Sequence, residues 1–204
     1  MMRKSLSVLC LCLAILTPVF TFAAEGTDAP TIRFLPAGTQ EVGLSAGWMM
    51  NHRLTGDHVS KPQGPAVIPS WGILLNDAPG DRWYHGQVSI GAEIPYIVTT
   101  RPIMSYGVGF TPRIKYTLTM SPQLRPYVEF GGGPYWTTLG QRVPEQGTKF
   151  NFIVHAGFGV SWFLTSQTAI TASYRFHHIS NAGIRYPNLG LNSSLPMSGF
   201  SFYF

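Results

Sequence analysis

The feature that most constrains the fold of this chain is an alternation of apolar and polar residues that recurs along most of its length. In residues 150–162, every even position is apolar, as Phe, Phe, Val, Ala, Phe, Val and Trp. Six further segments follow the same pattern closely: 40–50, 84–96, 106–118, 128–136, 168–180 and 199–204. Segment 67–75 fits less well, because Ile68 and Leu74 fall out of phase. A period of two puts alternate side chains on opposite faces of a strand, so the pattern predicts seven regular strands and a weaker eighth.

The apolar faces carry aromatic residues near the predicted strand ends, and the opposite faces are polar and rich in glycine. These aromatic residues are Trp48, Tyr84, Tyr96, Tyr106, Trp136, Phe150 and Trp162. The combination predicts an all-β fold, an eight-stranded antiparallel transmembrane β-barrel of the bacterial outer membrane, closed because lipid cannot satisfy an open strand edge. Residues 25–204 form its single domain. A soluble sandwich is the alternative, but the chain-terminal aromatic Phe204 favours the membrane.

The first 24 residues predict a cleaved secretory signal peptide. Two cations precede an apolar run, and cleavage is expected after Ala23 or Ala24. An uncleaved membrane anchor is the alternative. Both cysteines of the chain, Cys10 and Cys12, lie in this segment, so the mature domain is expected to have no disulfide and no cysteine-bound metal. Loss of the two cations lowers the formal net charge from +5 to +3, an excess too small to indicate binding to nucleic acid.

Charged residues on the polar faces are expected to meet inside the barrel, which is too narrow for a channel. They are Glu93, Arg113, Lys115, Glu129 and Arg175. His177 is expected to point into the same interior, because it follows Arg175 by one full period of the strand.

A histidine and a serine share the apolar face at the end of the seventh strand. An even number of strands leaves both chain ends on the periplasmic side, so this strand runs outward and places His178 and Ser180 at the outer leaflet. Histidine can take the serine proton and make the hydroxyl a nucleophile for acyl transfer. The following turn, Asn181-Ala182-Gly183, can offer N–H groups to a developing oxyanion. His-x-Ser is a weak motif, and a pair of ordinary interfacial polar residues is the alternative.

The run from His178 to Gly183, followed by Pro187-Asn188-Leu189-Gly190, resembles the carboxy-terminal motif of the lipid A 3-O-deacylase (PagL) family. Similarity in size, leader and strand pattern covers the whole mature chain, while the motif covers about the last 30 residues. The resemblance implies an outer-membrane esterase that removes the ester-linked 3-hydroxyacyl chain at position 3 of lipid A, without metal or cofactor. It also implies lipopolysaccharide as the substrate. A homodimer is possible.

By the same resemblance, Ser180 is the nucleophile, His178 the general base and the following turn the oxyanion region. The family's acidic residue falls twelve positions after the serine, where this chain has Asn192, and no Asp or Glu follows Glu145. Asn192 is the preferred orienter of His178, as in Cys-His-Asn proteases. Two alternatives remain open. An acid from another loop, Asp57 or Glu145, orients His178 instead, or the enzyme is slow or inactive. Outside this reading, a structural or adhesive barrel and an acyltransferase are the alternatives.

Overall fold

The computed structural model of the protein describes residues 32–52, 60–78 and 82–204. The predicted signal peptide lies outside the described residues. Ten β-strands run Gln40–His52 (β1), Gln63–Leu74 (β2), Gly86–Glu93 (β3), Tyr96–Thr99 (β4), Ser105–Gly109 (β5), Thr111–Leu118 (β6), Leu124–Thr137 (β7), Phe150–Phe163 (β8), Thr168–Ser180 (β9) and Leu191–Tyr203 (β10). Among the described residues, no helix is long and apolar enough to cross a membrane.

The ten segments make eight barrel strands, because two barrel strands each contain a short irregularity. β3 and β4 flank Ile94 and Pro95, and β5 and β6 flank Phe110. Backbone hydrogen bonds continue through these points: the Gly109 N–H donates to the Pro95 carbonyl and the Phe110 N–H to the Pro134 carbonyl, both at 3.0 Å. All paired strands are antiparallel, and β1 pairs with both β2 and β10, which closes the sheet. The predicted eight-stranded barrel is confirmed, and the two-sheet sandwich is excluded.

The outer surface of the barrel is apolar on every strand, as the alternation predicts. In β8, Phe158 is 62% exposed whereas Ile153 is fully buried inside. Equivalent outward residues on other strands are Leu44, Trp71, Ile90, Val108, Ile114, Phe130, Ile170 and Phe200. An apolar belt around a closed barrel matches the hydrocarbon layer of a bilayer, so the strands are of the membrane-spanning type.

β2 shows why one segment matched the pattern poorly. Val67 and Trp71 point outward and are 41% and 44% exposed, whereas Ile68 and Leu74 are buried in the interior. β2 therefore carries apolar residues on both faces: Ile68 belongs to the apolar core inside the barrel, and Leu74 is buried near the start of β1. A strand with apolar residues on both faces loses the two-residue alternation.

The interior is apolar at the loop end of the barrel, which is the end where β9 turns into β10. Buried apolar side chains fill this half: Met49, Ile68, Ile97, Tyr135, Leu139, Ile153, Ile179, Leu191 and Leu195. The charge network expected to fill the interior therefore does not extend into this half, where the polar side chains that line the remaining cavity of the described residues are uncharged, as in Thr99, Ser105, Thr137 and Ser193. His177 points inward as predicted and is 1% exposed, and its ring lies beside that of His155, with 5.6 Å between the ring centroids and an angle of 38° between the ring planes.

The other half of the interior, toward the terminal end where β1 begins and β10 ends, holds an ion-pair network. Arg175 donates to both oxygens of Glu93 at 2.7 Å and to Glu129 at 2.6 Å. The ion-paired side chains are Glu41, Glu93, Arg113, Lys115, Glu129 and Arg175. The network predicted from the polar faces is confirmed, and Glu41 joins it. Buried charges of this kind are tolerated because each has partners of opposite sign.

Candidate active site

The candidate site lies on the outer wall at the loop end, where β9 ends and β10 begins. His178 and Ser180 occupy the outward face of β9, and both side chains are half-buried. The antiparallel register places Asn192 of β10 directly opposite His178. Chain reversal through residues 181–190 therefore brings together side chains that are fourteen positions apart in the sequence. Both sequence-predicted partners of the serine lie on one face of the barrel.

The Asn192 side chain forms a hydrogen bond with His178, with 2.7 Å between Nδ1 and Oδ1. An amide oxygen only accepts, so the imidazole carries its proton on Nδ1 and leaves Nε2 free to act as a base. The Asn192 backbone is held as well, because the Asn51 side-chain amide donates to its carbonyl at 2.8 Å. The sequence did not predict a role for Asn51, because only the pairing of β1 with β10 places it beside Asn192.

Ser180 is the last residue of β9 and pairs with Phe152 of β8. Within the described residues, no hydrogen bond joins its hydroxyl to His178. Catalytic hydrogen bonds are often long in the absence of substrate and tighten when it binds. The two side chains share a face one strand period apart, so rotation of either about its Cα–Cβ bond changes their separation.

Gly190 provides the space that the His178 ring occupies. Its φ of +71° lies in the left-handed region, which favours glycine. A Cβ atom built on Gly190 would stand 2.7 Å from the His178 Cε1 atom. The glycine is therefore required twice, for the backbone turn into β10 and for the position of the imidazole.

The turn after Ser180 is organised by the fully buried side chain of Asn181. Its Oδ1 atom accepts the Gly183 N–H at 3.0 Å, and its Nδ2 atom donates to the Arg185 carbonyl at 2.6 Å. The Asn181 N–H itself donates to Asn188 Oδ1 at 2.8 Å. Two of the three residues predicted for the oxyanion region thus use their N–H groups within the loop. Ala182, at φ +52°, is exposed, and within the described residues its N–H has no acceptor.

The acids considered as replacements for Asn192 do not supply a contact to His178 in the described residues. Glu145 is fully buried in the loop between β7 and β8, where its Oε1 atom accepts the Ser60 N–H at 2.8 Å. Asp57 lies outside the described residues. Asn192 is therefore the hydrogen-bond partner that the structure gives to the imidazole.

A second row of polar side chains lies on the same outer wall and was not predicted. His52 Nε2 contacts Ser194 Oγ, which also contacts the hydroxyl of Tyr174. Sequence reasoning missed this row because the last strand was expected to begin only at residue 199, whereas β10 begins at Leu191. These contacts satisfy polar groups that would otherwise face lipid unpaired.

Comparison with known proteins gives one family and a set of similar barrels. The family described as "Lipid A 3-O-deacylase (PagL)" matches residues 43–201. The crystal structure of the outer membrane enzyme PagL is similar, with a TM-score of 0.54 and 18% identity over 78% of this chain and 97% of that chain. The crystal structure of Neisserial surface protein A (NspA) is also similar, with a TM-score of 0.56 and 13% identity over 82% of this chain and 99% of that chain. No curated protein is a significant match. At such identities the two structures show a shared fold.

Proposed function

Because the chain belongs to the lipid A 3-O-deacylase (PagL) family, we propose that it is an outer-membrane serine esterase acting on lipid A. It hydrolyses the ester-linked 3-hydroxyacyl chain at position 3, at the level of the outer leaflet. The observation that carries this proposal is the 2.7 Å contact between His178 Nδ1 and Asn192 Oδ1, on the lipid-facing wall beside Ser180. That contact supports the proposal because it orients the imidazole on the same outer face as Ser180, a face that a lipid reaches from the side.

In the proposed mechanism, His178 Nε2 removes the proton from Ser180 Oγ as the oxygen attacks the ester carbonyl carbon. Asn192 keeps the second ring nitrogen protonated and the ring in place. The exposed Ala182 N–H donates to the oxyanion, while Asn181 shapes the turn that presents it. The intermediate collapses, and the imidazolium passes its proton to the departing sugar oxygen. Water, deprotonated by the same imidazole, then hydrolyses the acyl-serine and releases a 3-hydroxy fatty acid.

An acyltransferase with a chain-binding interior is disfavoured by how the barrel is filled. The cavity among the apolar side chains at the loop end measures about 10 Å³, which is room for about one water molecule. A fatty acyl chain does not fit there without repacking the core. Substrate access from the outer wall, where His178 and Ser180 lie, is consistent with a hydrolase.

A catalytically silent barrel is the second candidate, and Asn192 is the observation that favours it. A carboxylate stabilises the imidazolium that forms during attack, whereas an amide oxygen offers a neutral acceptor. In serine proteases, replacing the acid by its amide lowers kcat by roughly 10⁴. An inactive family member would keep the geometry of the site without turnover.

Expression in a Gram-negative host separates the two candidates. We expect the parent chain to remove one 3-hydroxyacyl group from lipid A, detected by mass spectrometry, and the Ser180→Ala variant to leave lipid A intact. Both chains must show the heat-modifiable gel mobility of a folded barrel. If folded parent chain leaves lipid A unchanged, the esterase proposal is wrong; a gain of one acyl chain would identify a transferase instead.

A further inference from the structure

The loop between β7 and β8, residues 138–149, contacts the loop that follows Ser180, and its Leu139 and Val143 side chains lie in the apolar core at the loop end. We call it the brace loop. The Gly147 N–H donates to the Pro187 carbonyl at 2.8 Å, and the Leu189 N–H donates to the Glu145 carbonyl at 3.1 Å. Gln146 lies between these bonds, in a β-bridge with Asn188. The brace loop thus pairs with the site loop over a short two-stranded stretch.

The side chain of Gln146 reaches past this stretch to the strand that carries the nucleophile. Its Nε2 atom donates to the carbonyl of Ile179 at 3.2 Å, and the residue is 1% exposed. Ile179 lies between His178 and Ser180. A buried amide from a distant loop therefore holds the peptide group that joins Ile179 to Ser180, the second of the two peptide groups between the proposed base and the proposed nucleophile.

This contact lies where the sheet itself stops supporting β9. Pairing between β10 and β9 ends with Leu191 opposite Ile179, whereas Ser180 is paired on the β8 side with Phe152. A residue at the end of a one-sided ladder has more backbone freedom than one inside a sheet. Gln146 donates to the carbonyl of Ile179, the last residue of β9 that is paired on both sides.

The brace loop is also linked, through one residue of the site loop, to the chain just beyond the nucleophile. Asn188, the bridge partner of Gln146, accepts the Asn181 N–H at 2.8 Å through its side chain. The brace loop is itself tied down on its far side, because Glu145 Oε1 accepts the Ser60 N–H at 2.8 Å. The brace loop thus bonds the carbonyl before Ser180 directly, and it acts on the N–H after Ser180 through Asn188 of the site loop.

We infer that Gln146 is a positioning residue that sets the direction of the Ser180 hydroxyl relative to His178. This inference rests on the proposed function and deepens it. A small angular error at a nucleophile lowers the rate of attack far more than it lowers substrate binding. Loss of the Gln146 donor should therefore lower kcat and leave KM nearly unchanged.

The test replaces Gln146 by Met, which keeps side-chain length and removes the donor. Gln87→Met is the matched control, because Gln87 is also 1% exposed and its Nε2 atom donates to the Leu35 carbonyl at 2.7 Å, in a contact that shares no residue with the site. Gln146→Leu, which also lacks a donor, serves as a second variant if the methionine chain fails to fold. Each full-length chain is refolded in detergent micelles and checked by heat-modifiable mobility.

Two rates are measured on each folded chain. One is hydrolysis of purified lipid A in mixed micelles, resolved into kcat and KM. The other is labelling of Ser180 by a fluorophosphonate, located by mass spectrometry, which reports activation of the serine without using lipid A. We expect Gln146→Met to lose about tenfold or more in kcat and in labelling rate, with KM within about twofold, and Gln87→Met to keep parent values.

The outcomes separate the inference from the proposed function. If the parent labels at Ser180 but leaves lipid A intact, the proposed substrate is wrong, and the labelling rates alone decide the role of Gln146. Equal losses in Gln146→Met and Gln87→Met, or a parent labelling rate in Gln146→Met, would overturn the inference. A folded parent that neither labels nor hydrolyses overturns both.

Discussion

At the scale of single residues, the site depends on one amide standing where the family resemblance expects an acid. Asn192 contacts His178 Nδ1 through its oxygen, which selects the tautomer needed for a base at Nε2. Orientation and tautomer selection are therefore both supplied by a neutral group. The missing element is negative charge, which in the proposed mechanism would stabilise the imidazolium formed as Ser180 attacks.

Asn192→Asp restores that charge with almost no change in shape. We expect kcat for lipid A hydrolysis to rise by about tenfold or more, because the carboxylate accepts the same Nδ1–H and stabilises the charged ring. Steady-state kinetics in mixed micelles measure the change. Asn192→Leu, which removes the acceptor, should lower kcat below the parent value. An unchanged kcat in both variants would show that Asn192 does not orient the histidine.

At the scale of elements, the site is shaped by the loop that joins β9 to β10. Ala182, Gly183 and Gly190 have left-handed backbone conformations, and Asn181 bonds across the turn between them. The start of β10 was missed in the sequence for a related reason. The outward positions of β10 near the site are polar, as in Asn192 and Ser194, so they interrupt the alternation by which a strand is recognised.

Gly190→Ala tests whether this loop positions the histidine. The new Cβ atom would stand 2.7 Å from His178 Cε1, so the ring must move, and we expect kcat to fall by about tenfold or more. Gly38→Ala is the control, because Gly38 also has a positive φ, +85°, with no atom within 4 Å of its added Cβ. Backbone strain is then similar in both variants. A similar kcat for both would rule out a clash with the ring as the cause.

At the scale of the whole molecule, closure of the sheet produces one apolar outer belt and an interior of two kinds. The ion-pair network lies toward the terminal end, and the apolar core lies beneath the site at the loop end. A packed core below β9 and β10 gives the site a rigid support, since close-packed interiors resist deformation. The ion pairs of the charged half join strands that lie far apart in sequence, as in Lys115 with Glu41 and Arg175 with Glu93.

Phe130→Arg tests the membrane-spanning assignment. Phe130 lies midway along β7 and is 56% exposed on the outer surface. We expect the substitution to lower the free energy of unfolding in lipid vesicles by about 2–4 kcal/mol, because a cation near the bilayer midplane is costly. Urea titration of vesicle-embedded protein measures it. Leu124→Arg, at the first residue of the same strand, should cost about 0–1 kcal/mol. Equal costs would contradict the placement of the belt.

The sequence by itself determined the strand faces, the eight-stranded class and the shared face of His178 and Ser180. Each of these follows from a period of two, which is local information carried by neighbouring residues. The resemblance to the family also marked Asn192, at the position of the family's acidic residue. Only the tertiary structure decided that Asn192 meets His178, because the register of β9 and β10 sets that contact.

The tertiary structure alone also decided what surrounds the pair. Gln146 reaches Ile179 across 33 positions of sequence, and the apolar half of the interior forms from residues of many strands. Neither leaves a periodic signal, because contacts between loops and between facing strands depend on how the barrel closes. Period and spacing therefore predict the two reactive side chains, while barrel closure determines the groups that hold them.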